Sequence, residues 1–160
     1  MKRDFSPELT AVMAKSGGEG GALWLPFRMH SLDTAGIMER LADEWLPDSV
    51  RDYLAGLCGG ADTARRLMVF CALVHDIGKT TPVFQAKIAA AAGFSLFEQY
   101  YSAPPEHFPD AAKTPHALAG EAILLDYGCP AGIASICGAH HGKPVSDSVC
   151  PSEESEDRPC

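Results

Sequence analysis

Apolar residues along this chain fall at helical rather than strand spacing. No stretch shows sustained period-two alternation bounded by turns, and no internal repeat is present. Residues 6–15 predict a short helix, ended by the glycine-rich stretch Gly17–Gly21. Pro26 precedes a helix from about Arg28 to Trp45, with Met29, Ile37, Leu41 and Trp45 as its apolar positions and Pro47 closing it. A short helix over 48–57 runs up to Gly59-Gly60. Asp62 or Thr63 can cap the next helix, which reaches about Asp76 and is stopped by Gly78. Its segment LMVFCALV is apolar all round, which predicts a central, buried helix. Thr81-Pro82 and Thr114-Pro115 each have the form of a cap followed by a first-turn proline. They open helices to about Ala92 and Tyr127, the second closed by Gly128. Pro130 opens a last helix ending near His140-His141-Gly142. Residues 93–113, with Pro104, Pro105 and Pro109, read as a long irregular connection of the kind that is often functional. The expected architecture is one all-α domain over residues 1–145, followed by a disordered acidic tail over 146–160.

The chemistry collects at the ends of these helices. His75-Asp76 ends the most apolar helix, and His140-His141 ends the last one. His116 and His30 lie in the first turns of two others. A lone histidine at a helix end is commonly a cap or a dipole partner. A carboxylate closing a buried helix is different: it needs a partner to offset its desolvation, and it sits where the helix dipole favours a cation. A metal meets both demands. Imidazoles with one carboxylate suit Mn²⁺, Fe²⁺, Ni²⁺, Co²⁺ or Zn²⁺, with Mg²⁺ also admitted. Lys79, three residues beyond Asp76, is either a solvated lysine after a helix end or a ligand for a phosphate oxygen. His107 has no such context and reads as a loop histidine. Phe94, Phe97, Tyr100 and Tyr101 are expected to cover the core; the rival reading has them stacking on unpaired bases.

Composition narrows the picture. At 160 residues and 46% apolar content the chain has room for a core and is not intrinsically disordered. No apolar run is long enough for a bilayer, and no apolar stretch follows the charged N-terminus, so a cytoplasmic protein without a membrane partner is expected. The six cysteines form no C-x-x-C pair, and free thiols are the expectation. The net charge of −8 argues against unaided, tight binding to nucleic acid.

The order H…HD…H…HH, from His30, His75-Asp76, His116 and His140-His141, resembles the HD superfamily of metal-dependent phosphohydrolases. VHDIGKTTPVFQAK, LWLPFRMHSLDTAG, HALAGEAILL and AHHGKP are similar to the nuclease domain of the CRISPR-associated helicase-nuclease of type I systems. Cyclic-dinucleotide phosphodiesterases of the HD-GYP type share HDIGK but follow the histidine pair with a glutamate and GYP, where this chain has HHGKP. The resemblance implies a helical bundle with the metal site between helices. It implies two divalent ions, one held by His30, His75 and Asp76, the other by Asp76 as a bridge with His116, His140 and His141. The family's pattern adds one more aspartate, in an Ala-Asp-Trp context; after His141 this chain has only Asp147 and Asp157.

The implied function is hydrolysis of single-stranded DNA by metal-activated water during CRISPR interference, with Asp76 and Lys79 as catalytic residues. The implied partners are a helicase domain or subunit and the surveillance complex. A chain lacking the helicase is then expected to be a truncated form. Two other readings stand beside this one: an HD phosphohydrolase of nucleotides or cyclic nucleotides, and a metal-binding module without turnover.

Overall fold

A computed structural model describes residues 11–17, 23–92 and 114–142. The expected helices at 28–45, 48–57, 62–76, 81–92, 114–127 and 130–140 all have counterparts. In chain order they are α1 (Phe27–Arg40), α2 (Asp48–Cys58), α3 (Ala61–Val74), α4 (Pro82–Ala92), α5 (His116–Asp126) and α6 (Ala131–Gly138). α1 continues as a wide turn over Leu41–Trp45, and α3 passes through His75-Asp76 into a tight 3₁₀ turn, Ile77–Thr80. Among the described residues the fold is all-α apart from one small sheet. The 93–113 connection, the 146–160 tail, His107 and the aromatics Phe94, Phe97, Tyr100 and Tyr101 lie outside the described residues.

The sheet corrects the end of the helix expected at 6–15: Ala11 is helical and the chain is extended from Met13, while residues 6–10 lie outside the described residues. Met13–Gly17 forms β1, antiparallel to β2, Leu23–Pro26, with Met13 opposite Pro26 and Lys15 opposite Leu25. Ala14 is the extra residue of a bulge and is 2% exposed. A five-residue strand with a bulge leaves no period-two signal to read. Tertiary contacts hold it: the Gln85 amide donates to the Met13 carbonyl (2.8 Å) and accepts from the Met13 N–H (3.0 Å).

α1 also differs from expectation. Met29, Ile37, Leu41 and Trp45 are exposed, Trp45 at 77%, whereas Ser31, Ala35 and Ala42 are buried. Small residues at helical spacing line the seam against α3, which presents Ala64 and Ala72, both buried. The seam selects short side chains because they let two helix backbones approach closely. α3 itself is central, packed by α1, α2 and α6, but it is not buried all round: Phe70 and Leu73 are exposed. Its N-cap is Gly60 rather than Asp62 or Thr63; Asp62 lies in the first turn and pairs with Arg66 (2.7 Å). Gly59, at φ 75°, takes the left-handed conformation that ends α2. A second small cluster, Leu124, Ala134 and Cys137, joins α5 to α6, with Cys71, Val74 and Ile77 against it.

Gly78 has a different task from the one expected. It sits inside the 3₁₀ turn, and a Cβ there would collide with the His116 carbonyl and lie 2.6 Å from the Gly120 amide nitrogen. The absence of a side chain lets the turn after Asp76 rest directly on the start of α5. Thr81 behaves as expected, its hydroxyl accepting from the Phe84 N–H (3.4 Å). At α5 the cap position belongs to Pro115, and at α6 to Pro130, each one residue earlier than its expected first-turn place. Cys58, Cys71, Cys129 and Cys137 are free thiols.

Candidate metal centre

His30, His75, Asp76, Lys79, His116, His140 and His141 converge from α1, the α3–3₁₀ junction, the start of α5 and the end of α6. Asp76 is the hub and is 3% exposed. Its two oxygens face different company. Oδ1 lies 3.1 Å from His116 Nε2 and 3.4 Å from His140 Nε2. Oδ2 lies 2.7 Å from His30 Nε2, 3.2 Å from His75 Nε2 and 2.6 Å from Lys79 Nζ. His141 Nε2 completes the Oδ1 side, 3.0 Å from His116 Nε2. The rings pack edge to face in sequence, His30 on His75 and His75 on His140, with centroids 5.2 and 5.3 Å apart.

Backbone carbonyls orient two of the imidazoles. His75 donates from Nδ1 to the Ala72 carbonyl (2.8 Å), and His140 donates from Nδ1 to the Cys137 carbonyl (2.6 Å). A carbonyl can only accept, so each Nδ1 carries a proton; neutral His140 then presents its Nε2 lone pair inward, and His75 does so once it gives up the proton that its Nε2 donates to Asp76. His30 is held from behind by its helix, where the Thr34 hydroxyl donates to its carbonyl (2.8 Å).

The electrostatics separate the two sides. Burial pushes His116 down to about 4, against the pull of Asp76 and with the repulsion of Lys79, His140 and His141 adding to it. Burial likewise lowers His140. Both are neutral near pH 7, as ligands must be. His75 moves up, chiefly through its hydrogen bond to Asp76, which outweighs burial. Burial acts to raise Asp76, but the hydrogen bonds from His75 and Lys79 prevail and hold the carboxyl well below its usual range.

The donor chemistry fits divalent cations. His116, His140 and His141 form one group with ligand atoms within 4.8 Å of one another, and His30, His75 and Asp76 form a second. Neutral nitrogen donors with an ionised carboxylate suit borderline transition ions. A carboxylate with one oxygen toward each group can serve both.

Sequence reading located all six candidate ligands and Lys79, and the fold brings all seven together. Lys79 is not a solvated lysine: it is 8% exposed and its ammonium is spent on Asp76. Four residues were missed as site-builders. Gln85, 6% exposed, also donates to the Lys79 carbonyl (2.6 Å) and so ties β1 to the turn that presents Lys79. Phe84 walls the site, edge-on to His116 at 5.4 Å and 5.8 Å from Lys79 Nζ. Gly78 and Gly120 permit the close approach of Asp76 to α5. The Pro-Phe-Gln stretch was a signal for two of these. Nothing local marked the glycines, whose meaning depends on a distant helix.

Comparison with known proteins agrees with this geometry. The family model described as the HD domain of Cas3 matches residues 13–159. The chain belongs to the Cas3 HD domain family. Membership places it among CRISPR-associated HD-type hydrolase domains, and HD domains hold divalent metals. A relative, the CRISPR-associated nuclease/helicase Cas3 of Streptococcus thermophilus, is 33% identical over 144 residues, covering 78% of this chain. The aligned part spans 15% of that relative's length. No solved structure matches. No single helix among the described residues is long and apolar enough to cross a membrane.

Proposed function

We propose that this chain is a metal-dependent phosphodiesterase that cuts single-stranded DNA in CRISPR interference. The observation that supports it best is the division of Asp76, with Oδ1 toward His116 and His140 and Oδ2 toward His30 and His75. His116, His140, His141 and Asp76 would hold one divalent ion, and His30, His75 and Asp76 the other. Bound metals would supply a water acidic enough to ionise near neutral pH and positive charge for the phosphate oxygens. The protein's own residues prepare for this: carbonyls fix the tautomers of His75 and His140, burial keeps His116 and His140 neutral, and Phe84 shields one side. Lys79 stands beside the carboxylate, where its ammonium can pass to a phosphate oxygen.

The net charge of −8 bears on delivery. Such a domain gains little from the counterion release that drives most nucleic-acid binding. A helicase part, as in the name of the relative, would bring the strand, with a DNA-bound surveillance complex presenting it. The rival reading is a metal-binding module without turnover.

The deciding experiment is cleavage of end-labelled single-stranded DNA with manganese, cobalt or nickel, alongside metal content and a chelator control. Metal-dependent release of fragments is expected. Hydrolysis of free nucleotides with intact DNA would move the chain to the small-molecule HD phosphohydrolases. Bound metal with no cleavage of either would favour the non-catalytic module.

A further inference from the structure

The two groups around Asp76 are not equally ready for a cation. Donors about 2.1 Å from one ion stand roughly 3.0–3.4 Å apart in octahedral or tetrahedral arrangements. On the Oδ1 side four separations, 3.0, 3.1, 3.3 and 3.4 Å, fall in that range, and they link His116 to His140, to His141 and to Oδ1, and His140 to Oδ1. On the Oδ2 side His75 Nε2, at 3.2 Å, is also in range, but His30 Nε2 stands 2.7 Å away, the length of a hydrogen bond rather than of two ligands sharing an ion. Oδ2 also receives the Lys79 ammonium at 2.6 Å. That ammonium is buried, and the Gln85 amide fixes the backbone carrying it.

We propose that Lys79 is a built-in counter-cation for the Oδ2 side, so that the His116–His140–His141 group loads a divalent ion first and the His30–His75 group only when Lys79 leaves Oδ2. The proposal rests on the metal-centre reading above. An ammonium in contact with Oδ2 occupies one of its lone pairs and repels a second positive charge brought to the same atom. It also offsets the buried carboxylate's charge from three residues along the chain.

The test is titration of the 160-residue chain with Mn²⁺, followed by calorimetry and electron paramagnetic resonance. One tight site giving an isolated-ion signal is expected, with a second site at least about tenfold weaker whose filling produces a spin-coupled pair. Lys79→Gln should narrow that gap about tenfold or more with an unchanged circular dichroism spectrum, and Lys79→Arg, which keeps the charge, should preserve it. His141→Gln should remove the tight site and His30→Gln the weak one. Two sites of equal affinity in the natural chain, a gap unmoved by Lys79→Gln, or a gap abolished in a folded Lys79→Arg protein would each overturn the proposal. If Lys79→Gln does not fold, the natural chain and Lys79→Arg still decide it. Absence of any bound Mn²⁺ sinks the metal centre itself, a result distinguishable because the tight site is then missing too.

Discussion

The two ends of the α1–α3 pair carry similar charges at similar distances and put them to different use. At one end Asp76 meets His30, His75 and Lys79; at the other, Arg65 meets Glu39 (2.6 Å) and Asp43 (2.7 and 2.8 Å). The side chain of Asp76 is 5% exposed and that of Asp43 is 45% exposed. Water and salt screen the second cluster, and an exposed ion pair contributes little even at good geometry. The first cluster sits in a poorly screened setting, where removing one partner leaves the others uncompensated. Distance alone therefore does not rank these interactions; solvent does.

The sharpest attempt to break that contrast is Asp76→Ala. It removes the one group shared by both sets of histidines. Loss of outer-sphere support alone costs metal sites about 10–100-fold, so removal of the shared carboxylate should weaken Mn²⁺ binding by at least about 100-fold and abolish cleavage. Calorimetry and the DNA assay check this, and retained activity would end the shared-carboxylate account. Next comes Gly78→Ala, which forces a methyl against the His116 carbonyl. Overpacking of this kind costs about 1–3 kcal/mol, and here it should also displace His116 and loosen the tight metal site. Gly120→Ala, whose Cβ would lie 3.2 Å from the Gly78 nitrogen, should do the same more mildly. Urea unfolding of both variants, with Mn²⁺ titrations, tests that order.

A gentler probe is pH, applied to the chain in chelator. His116 is held down to about 4 from an ordinary value of 6.5. Between those values the unfolded chain takes up a proton that folded His116 refuses, so stability should fall as pH falls through that window. His75 is raised above 6.5, so its contribution is complete below that value and is lost as pH rises through its folded value. Stability should therefore peak near 6.5, with His116→Gln flattening the acid limb and His75→Gln the alkaline one. A profile that rises steadily toward acid would contradict the burial assigned to His116. The smallest effect belongs to Arg65→Ala: unchanged Mn²⁺ binding and a melting midpoint lowered by at most about 4 °C. A loss of metal in that variant would mean the far end is coupled to the site after all.

Much of the site was legible because its residues announce themselves in pairs at helix ends. A histidine-aspartate doublet after a long apolar run has few structural uses, and a histidine-histidine doublet ending another helix of the same chain invites a common destination. The helices were legible from proline and glycine punctuation. What escaped was whatever depends on a partner elsewhere in the chain. The outward face of α1 and its wide turn carries Met29, Ile37 and Trp45, so hydrophobicity pointed the wrong way, while alanines and a serine made the seam. β1 pairs with β2 and is fastened at Met13 by the Gln85 side chain, a residue that looks merely polar in sequence. Gly78 resembled a stop signal because its real constraint, the backbone of α5, lies far along the chain.

The Gln85 clamp bears on how the molecule comes together. It links positions 72 apart, Met13 and Gln85, and the same amide reaches the Lys79 carbonyl. Such a contact closes a long loop and forms late, since the entropy of bringing distant segments together must be overcome first. The Lys79–Asp76 pair spans only three residues and can form as soon as that turn does. The chain thus neutralises its most hazardous charge early and fastens the scaffold around it afterwards, so an expression boundary drawn inside β1 would spare the ion pair but leave its platform unlatched.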